Sequence, residues 1–350
     1  MTAQASVPTS VHLVGSMALP SVDAVFEETG RILGRRLKRV PDGEPGGRNL
    51  WISWQYPVLR ANPYLEVDSA PEPGSSAGLP KVRVADGVKP EEIEFGELGY
   101  AREARASYID FCRARERGSI PAGCRFQVCL PTPLGVLLPF VSAQSLAAIE
   151  PAYEAAMLRE IEKICVEIPH EDLAFQWDIC IEMVMWDGRY ERYTAPFDDE
   201  KAGIIERLVR TSRAVPADVE LGVHLCYGDW GAKHFIEPLD AGAMTDLANA
   251  IVENVEHPIA FIHMPVPVDR TDDAFFVPFE NLKTGPETEI YLGLVHDSDG
   301  VEGTKKRIEA ASKHVSGFGV ATECGLGRCK TSDVVRNIFE VHAGVSNEPA

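Results

Sequence analysis

Residues 220–227 read ELGVHLCY and residues 318–327 read FGVATECGLG. Each is a short apolar run that ends in reactive side chains. Neither alternates cleanly between apolar and polar residues, which is the pattern of a strand buried on both faces in a parallel sheet. Moving outward, six more runs have the same character: Val11–Ser16, Leu37–Asp42, Arg125–Thr132, Leu173–Asp178, Ile259–Pro265 and Glu289–His296. Helical periodicity fills the gaps. Ser21 is placed to cap a helix with Val22, Val25, Phe26, Ile32 and Leu33 on one face. Ala147–Val166, Asp199–Arg213, Ala243–Val255, Val301–Val315 and Ser332–His342 also read as helices. Eight strands alternating with helices predict an α/β fold, the (β/α)8 TIM barrel, with a doubly wound open sheet as the alternative.

One connection breaks the rhythm. Residues 44–124 form a long insertion between the second and third strands, far beyond the usual loop of about 2–6 residues. Asn62–Lys89, rich in Pro, Gly, Ser and acids, predicts an excursion over the barrel mouth. Pro90–Arg117 predicts a helix with Tyr108, Phe111 and Cys112 as packing positions. The chain of 350 residues reads as a single domain, 1–350, because one barrel of about 250 residues plus an insertion accounts for its length.

Composition narrows the function classes. With 34 basic and 53 acidic residues the net charge is −19, which disfavours binding to nucleic acid or to an anionic membrane. No apolar run reaches the roughly 20 residues that a bilayer requires. The first ten residues lack the basic start and apolar core of a signal peptide. The eight cysteines are scattered, and Cys129, Cys165 and Cys180 sit in apolar segments, as buried reduced thiols do. A cytoplasmic protein acting on a small molecule is the expectation, with the oligomeric state open.

In a barrel, chemistry sits at the C-terminal ends of the strands. Those ends hold Ser16, Asp42 and Glu44, Thr132, Asp178, His224 and Cys226, His263, His296 and Asp297, and Cys324. His224 and Cys226 are two apart on a strand, so their side chains point the same way. Imidazole and thiolate are favoured zinc ligands, and three protein ligands leave one position open for substrate. His-x-Cys alone is a weak signal. Cys324, at the end of the eighth strand, strengthens it by supplying a third ligand.

These residues resemble the catalytic barrel of the cobalamin-independent methionine synthases, within the wider methionine synthase and uroporphyrinogen decarboxylase-like group. That family has His-x-Cys-Tyr after its fifth strand and Asp-Cys-Gly-Leu after its eighth. Here the matching text is His224-Leu225-Cys226-Tyr227 and Glu323-Cys324-Gly325-Leu326. Gly15-Ser16, Gly43-Glu44, Leu130-Pro131-Thr132-Pro133 and Gln176-Trp177-Asp178 are weaker echoes. The resemblance implies that zinc is held by His224, Cys226 and Cys324 and activates a substrate thiol. It implies that Glu44 and Asp178 grip an amino group and that Ser16 helps anchor a carboxylate. Two departures define a divergent member. The family's Glu, the fourth zinc ligand, is replaced near His263, which is then the candidate fourth ligand. The family's Asp-Ile-His-Ser reads His296-Asp297-Ser298-Asp299. His296, Asp297 and Asp178 are therefore the candidates for proton transfer.

Three functions compete. The first is zinc-dependent alkyl, in particular methyl, transfer to a small thiol, other than folate-dependent methionine synthesis. The second is a lyase or decarboxylase of the uroporphyrinogen decarboxylase-like type, using Asp42, Asp178, Asp297 and nearby histidines. The third is a non-catalytic zinc- or ligand-binding barrel with a closed four-ligand site.

Overall fold

The computed structural model describes residues 7–68, 78–193, 197–229, 231, 233–328 and 330–349. Its strands are β1 (Arg39–Pro41), β2 (Leu65–Val67), β3 (Val82–Val84), β4 (Arg125–Pro131), β5 (Leu173–Ile179), β6 (Glu220–Leu225), β7 (Ile259–Pro265), β8 (Glu289–Val295) and β9 (Gly319–Thr322). Seven of them form one parallel sheet in the order β1-β4-β5-β6-β7-β8-β9. The sheet is curled. Strands β2 and β3 form a separate antiparallel pair. The large sheet is buried on both faces, and all seven residues of β5 are buried. Apolar runs without alternation follow from that burial.

The helices are α1 (Val22–Leu33), α2 (Tyr56–Ala61), α3 (Tyr100–Glu116), α4 (Pro133–Phe140), α5 (Ala143–Glu167), α6 (Ile181–Asp187), α7 (Glu200–Ser212), α8 (Gly242–Asn254), α9 (Asp273–Phe276), α10 (Gly300–Ala311) and α11 (Ser332–Val345). Neighbours pack in succession around the sheet: α11 on α1, α1 on α3, α3 on α5, α7 on α8, and α10 on α11. Part-buried ion pairs Arg207–Glu150 and Arg210–Glu154 join α7 to α5. Ser21 caps α1 as its sequence suggests, with its hydroxyl accepting from the Ala24 amide at 3.2 Å.

The first expected strand, Val11–Ser16, is not a regular strand. Val11 makes single-residue parallel bridges to Leu37 on one side and Val320 on the other, so it spans the two edges of the curled sheet. Beyond it the ladder is interrupted because side chains take the backbone acceptors. Gln127 donates to the Leu13 carbonyl at 3.0 Å and Gln176 to the Val14 carbonyl at 2.6 Å.

The long connection between β1 and β4 contains the β2–β3 pair, α2 and α3. Helix α3 starts at Tyr100, ten residues after the expected start at Pro90. The buried Glu160 of α5 explains the delay. Its carboxylate accepts from the amides of Leu98 at 2.9 Å and Ala101 at 2.6 Å, which satisfies the start of α3 there. The expected excursion at 62–89 lies partly outside the described residues. Its described part packs beside the α4–α5 junction, where the Ser142 amide donates to the Val82 carbonyl.

At the N-terminal ends of the strands, Arg39 bridges Glu220 and Glu289. Arg125 adds a second contact to Glu220 at 2.9 Å. Ion pairs fasten that end, and in a barrel the opposite end carries the chemistry. Between β6 and β7 the packing is tight. A Cβ on Gly222 would sit 2.3 Å from the Phe261 ring. Gly222→Ala should therefore cost about 1–3 kcal/mol and lower Tm by several degrees in a thermal melt. Adding Phe261→Leu to the same chain should restore part of that loss. A single mutant as stable as wild type would contradict this packing.

Candidate active site

The sheet register sets up the site. Asp178 on β5 pairs with His224 on β6, and His224 pairs with His263 on β7. Paired residues on adjacent strands share a face. The Cys226 amide donates to the Ile179 carbonyl at 3.0 Å, which holds the end of β6 against β5. Cys324 follows β9.

Three candidate ligands meet here. His224 Nε2, Cys226 Sγ and Cys324 Sγ lie within 4.8 Å of one another. The two sulfurs are 3.7 Å apart, and Cys324 Sγ is 3.8 Å from His224 Nε2. Tetrahedral zinc with Zn–S of about 2.3 Å and Zn–N of about 2.0 Å separates two sulfurs by about 3.8 Å and sulfur from nitrogen by about 3.5 Å. The donor set and its spacing fit zinc. The Cys226 thiol is pushed well above its ordinary value by a hydrogen bond with Cys180 and by burial. The Cys324 thiol is pushed up by its hydrogen bond with Cys226 and by burial. Both would lose their protons to a bound metal.

His263 does not join this set. Its Nδ1 lies 2.7 Å from His224 Nδ1 and its Nε2 lies 2.9 Å from the Thr322 carbonyl. Both ring nitrogens are engaged, so the fourth-ligand assignment from the sequence gives way to a place behind His224. Burial lowers His263 to about 3.

A cavity of about 110 Å³ opens beside the ligands. Ser16, Glu44, Asp178, His224, Cys226 and Cys324 all line it, and so do Trp51, Asp229 and Arg328. Glu44 is raised to about 8 by burial, then by the neighbouring charges of Asp178 and Asp42. Asp178 is raised to about 7 by burial, against hydrogen bonds from Gln176 and Trp51. Gln176 donates to Asp178 Oδ1 at 2.8 Å while its own Oε1 faces His12 Nε2 at 2.9 Å. Asp178 is thus held by a buried polar chain.

Other sequence candidates go elsewhere. Asp42 accepts from the Glu44 amide at 2.9 Å, from Arg48 at 2.8 Å and from Ser107 at 2.6 Å, so it fastens the loop that presents Glu44. Arg48 pairs with Asp42 and Glu103. Thr132 caps α4 and bonds Glu182. His296 does not line the cavity. Its Nε2 is 2.9 Å from the Val266 carbonyl, and burial lowers it to about 4. Asp297 is exposed and accepts from Asn337 at 2.7 Å, so it too lies outside the cavity. Among the proton-transfer candidates only Asp178 reaches the ligands' cavity.

Arg328 and Trp51 escape the sequence reading. Arg328 contacts Asp229 at 3.2 Å and lies 4.0 Å from Cys324 Sγ. Its position shortly after Cys-Gly-Leu-Gly was the available signal. Trp51, inside the long connection, had none. Trp51 and Glu44 adopt left-handed backbone conformations, φ 54° and 49°, and both line this cavity. Such strain in non-glycine residues persists where the surrounding structure imposes it, commonly at functional sites. Gly325 is required by closeness: a Cβ there would lie 2.5 Å from Ser16 Oγ.

No family model matches the sequence, and no curated protein sequence matches it. Solved structures do match its fold. A candidate vitamin B12-independent methionine synthase from Listeria monocytogenes superposes with TM-score 0.57 at 15% identity, covering 98% of this chain and 97% of that one. A B12-independent methionine synthase from Shewanella sp., determined in complex with selenomethionine, gives TM-score 0.61 at 14% identity, covering 97% of each chain. At those identities the likeness establishes a shared fold.

The two raised acids have a measurable signature. A carboxyl raised by folding stabilises the protein below its unfolded value, and that contribution is lost as pH rises through the folded value. For Glu44 the window runs from 4.5 to about 8 and for Asp178 from 3.8 to about 7. Glu44→Gln and Asp178→Asn should each raise the Tm of the metal-free protein at pH 9 by about 3 °C or more, with little effect at pH 4. Equal shifts at both pH values would argue against raised acids.

Proposed function

We propose that this protein is a zinc-dependent enzyme that transfers an alkyl group, in particular methyl, to a small thiol. The observation that carries this reading is the clustering of ligand atoms of His224, Cys226 and Cys324 within 4.8 Å of one another beside a cavity that also holds Glu44 and Asp178. The similarity in fold to methionine synthases and the matching motifs support it. In finer detail we read the fold as a (β/α)8 barrel in which the Val11 segment takes the eighth place.

Zinc held by these three residues would supply Lewis acidity that keeps a substrate thiol deprotonated at neutral pH. His224, Cys226 and Cys324 leave one position open, since His263 is turned to His224 and Thr322. Among the described residues no lysine or arginine hydrogen-bonds to Glu44 or Asp178, so the pair offers a site for an ammonium group. An ammonium between them would favour both ionised forms. Trp51, Ile52, Ile181 and Phe235 form an apolar wall that limits water beside the reacting atoms.

The lyase alternative has one observation in its favour: acids at about 8 and about 7 suit proton transfer near neutral pH without a metal. Metal dependence separates the two readings.

Purified protein should contain about one zinc per chain. X-ray absorption should count two sulfur ligands, rising to three when the correct thiol is added. The double variant Cys226→Ser, Cys324→Ser should lose zinc and keep its fold. Full zinc occupancy in that variant would sink the assignment.

We also expect no methionine from homocysteine and methyltetrahydrofolate. That reaction demands a proton donor for the departing amine. His296 and Asp297, at the place of the family's His, lie outside the cavity and are committed to Val266 and Asn337. Methionine formed at about 1 s⁻¹ or faster with the zinc-loaded protein would overturn this expectation.

A further inference from the structure

The hydrogen bonds behind His224 run in one direction, and that direction decides which of its nitrogens faces the cysteines. The Thr322 backbone oxygen only accepts, so His263 Nε2, 2.9 Å away, bears a hydrogen. His263 is fully buried. Its polar partners among the described residues are His224 and the Thr322 carbonyl, with the His12 ring 5.6 Å away. No carboxylate hydrogen-bonds to it there, and a buried imidazole without an anionic partner stays neutral. A neutral imidazole has one N–H, so His263 Nδ1 is an acceptor. The atom facing it at 2.7 Å is His224 Nδ1, which must donate. His224 Nε2 is left with a bare lone pair. That same atom lies 3.8 Å from Cys324 Sγ.

We infer that His263 is a positioning residue: backed by the Thr322 carbonyl, it locks His224 in the Nδ1–H tautomer and aims Nε2 at the space between Cys226 and Cys324. A ligating histidine ordinarily donates its second nitrogen to a carboxylate, a carbonyl or water, which fixes the ring and makes the ligating nitrogen more basic. Here a second imidazole is interposed between the ligand and the carbonyl. The line Thr322–His263–His224 crosses from β9 through β7 to β6. It ties the strand that precedes Cys324 to the strand that precedes Cys226. His263 thereby serves the metal site from behind instead of entering it. The consequence for metal binding rests on the zinc reading, whereas the hydrogen-bond line itself does not.

Two measurements test this. The first is long-range ¹⁵N–¹H NMR on metal-free wild-type protein labelled at histidine, with His224 assigned by its loss in His224→Gln. The expected result is a protonated Nδ1 and a bare Nε2. The second is zinc affinity, by competition with a chromophoric chelator, for wild type, His263→Leu and His263→Gln. The leucine variant removes the acceptor and should bind zinc about 10–100-fold more weakly. Glutamine can accept from His224 through its oxygen and donate to Thr322 through its nitrogen, so it should recover most of the loss. Circular dichroism checks the fold of each variant. An Nε2–H tautomer for His224 in wild type overturns the inference. So does wild-type zinc affinity in folded His263→Leu, or no recovery in folded His263→Gln. If the leucine variant does not fold, the tautomer and the glutamine variant decide. Wild type that binds no zinc would sink the zinc reading, while the NMR result would still decide the tautomer.

Discussion

Val11 joins the two edges of the curled sheet. Its amide donates to the Arg36 carbonyl at 3.0 Å, the His12 amide to Val320, and the Val320 amide to Ser10. Without that junction, β1 and β9 would present unpaired backbone groups, as any open sheet does. The closure also brings together three strand ends that are remote in sequence. The Leu326 amide donates to the Ser16 carbonyl, and the Met17 amide donates to the Gly43 carbonyl at 2.7 Å. Ser16, Glu44 and Cys324 therefore reach one cavity because the first segment is stitched to both of its neighbours. Gly325 belongs to the same constraint, since only a residue without Cβ lets the chain after Cys324 pass so close to Ser16.

Closure in turn creates an interior that must accommodate polar side chains away from water. His12, Gln127 and Gln176 lie there with almost no exposure. They answer one another: Gln176 accepts from His12 and donates to Val14 and Asp178, while Gln127 donates to Leu13. Buried polar groups of this kind are costly unless partnered, and Gln127 Oε1 is the one buried atom of these three side chains left without a partner among the described residues. The partners of the first segment are side chains instead of a continuous backbone ladder, which is why its strand is reduced to a single-residue bridge. A sequence pattern of apolar runs reports burial and not the identity of the hydrogen-bond partner. The run from Val11 to Ser16 was therefore legible as a buried stave and illegible as an irregular one.

The same distinction separates the parts of the site that could be read from those that could not. His224 and Cys226 were legible because strand periodicity places positions two apart on one face. Cys324, Ser16, Glu44 and Asp178 were legible by motif and by their positions at strand ends. His263 has the right residue type at the right strand end, yet whether it ligates depends on where its two nitrogens point, and spacing does not encode that. His296 and Asp297 failed to reach the cavity for a related reason. Their side chains found nearer partners in Val266 and Asn337. Trp51 entered from a connection whose composition suggested only a loop. Its left-handed backbone is visible in coordinates alone.

Two buried hydrogen-bond lines thus end at the cavity on adjacent strands, at His224 and Asp178. One starts at the Thr322 carbonyl and runs through His263 to His224. The other starts at His12 and runs through Gln176 to Asp178. They differ in what they can do with a proton. The first is built from groups that burial keeps neutral, so it fixes orientation and leaves a lone pair facing the cysteines. The second ends in a carboxyl raised to about 7 by burial, next to Glu44 raised to about 8. Asp178 is the register partner of His224, so a substrate in this cavity would meet the histidine and thiol cluster beside the acid pair. On the proposed function, thiol activation and recognition of an ammonium need not interfere, because burial holds His224 and His263 well below the acids. On the proposed function, a cavity that holds both groups suits a small substrate with a thiol and a cationic group better than a ligand held through a single contact.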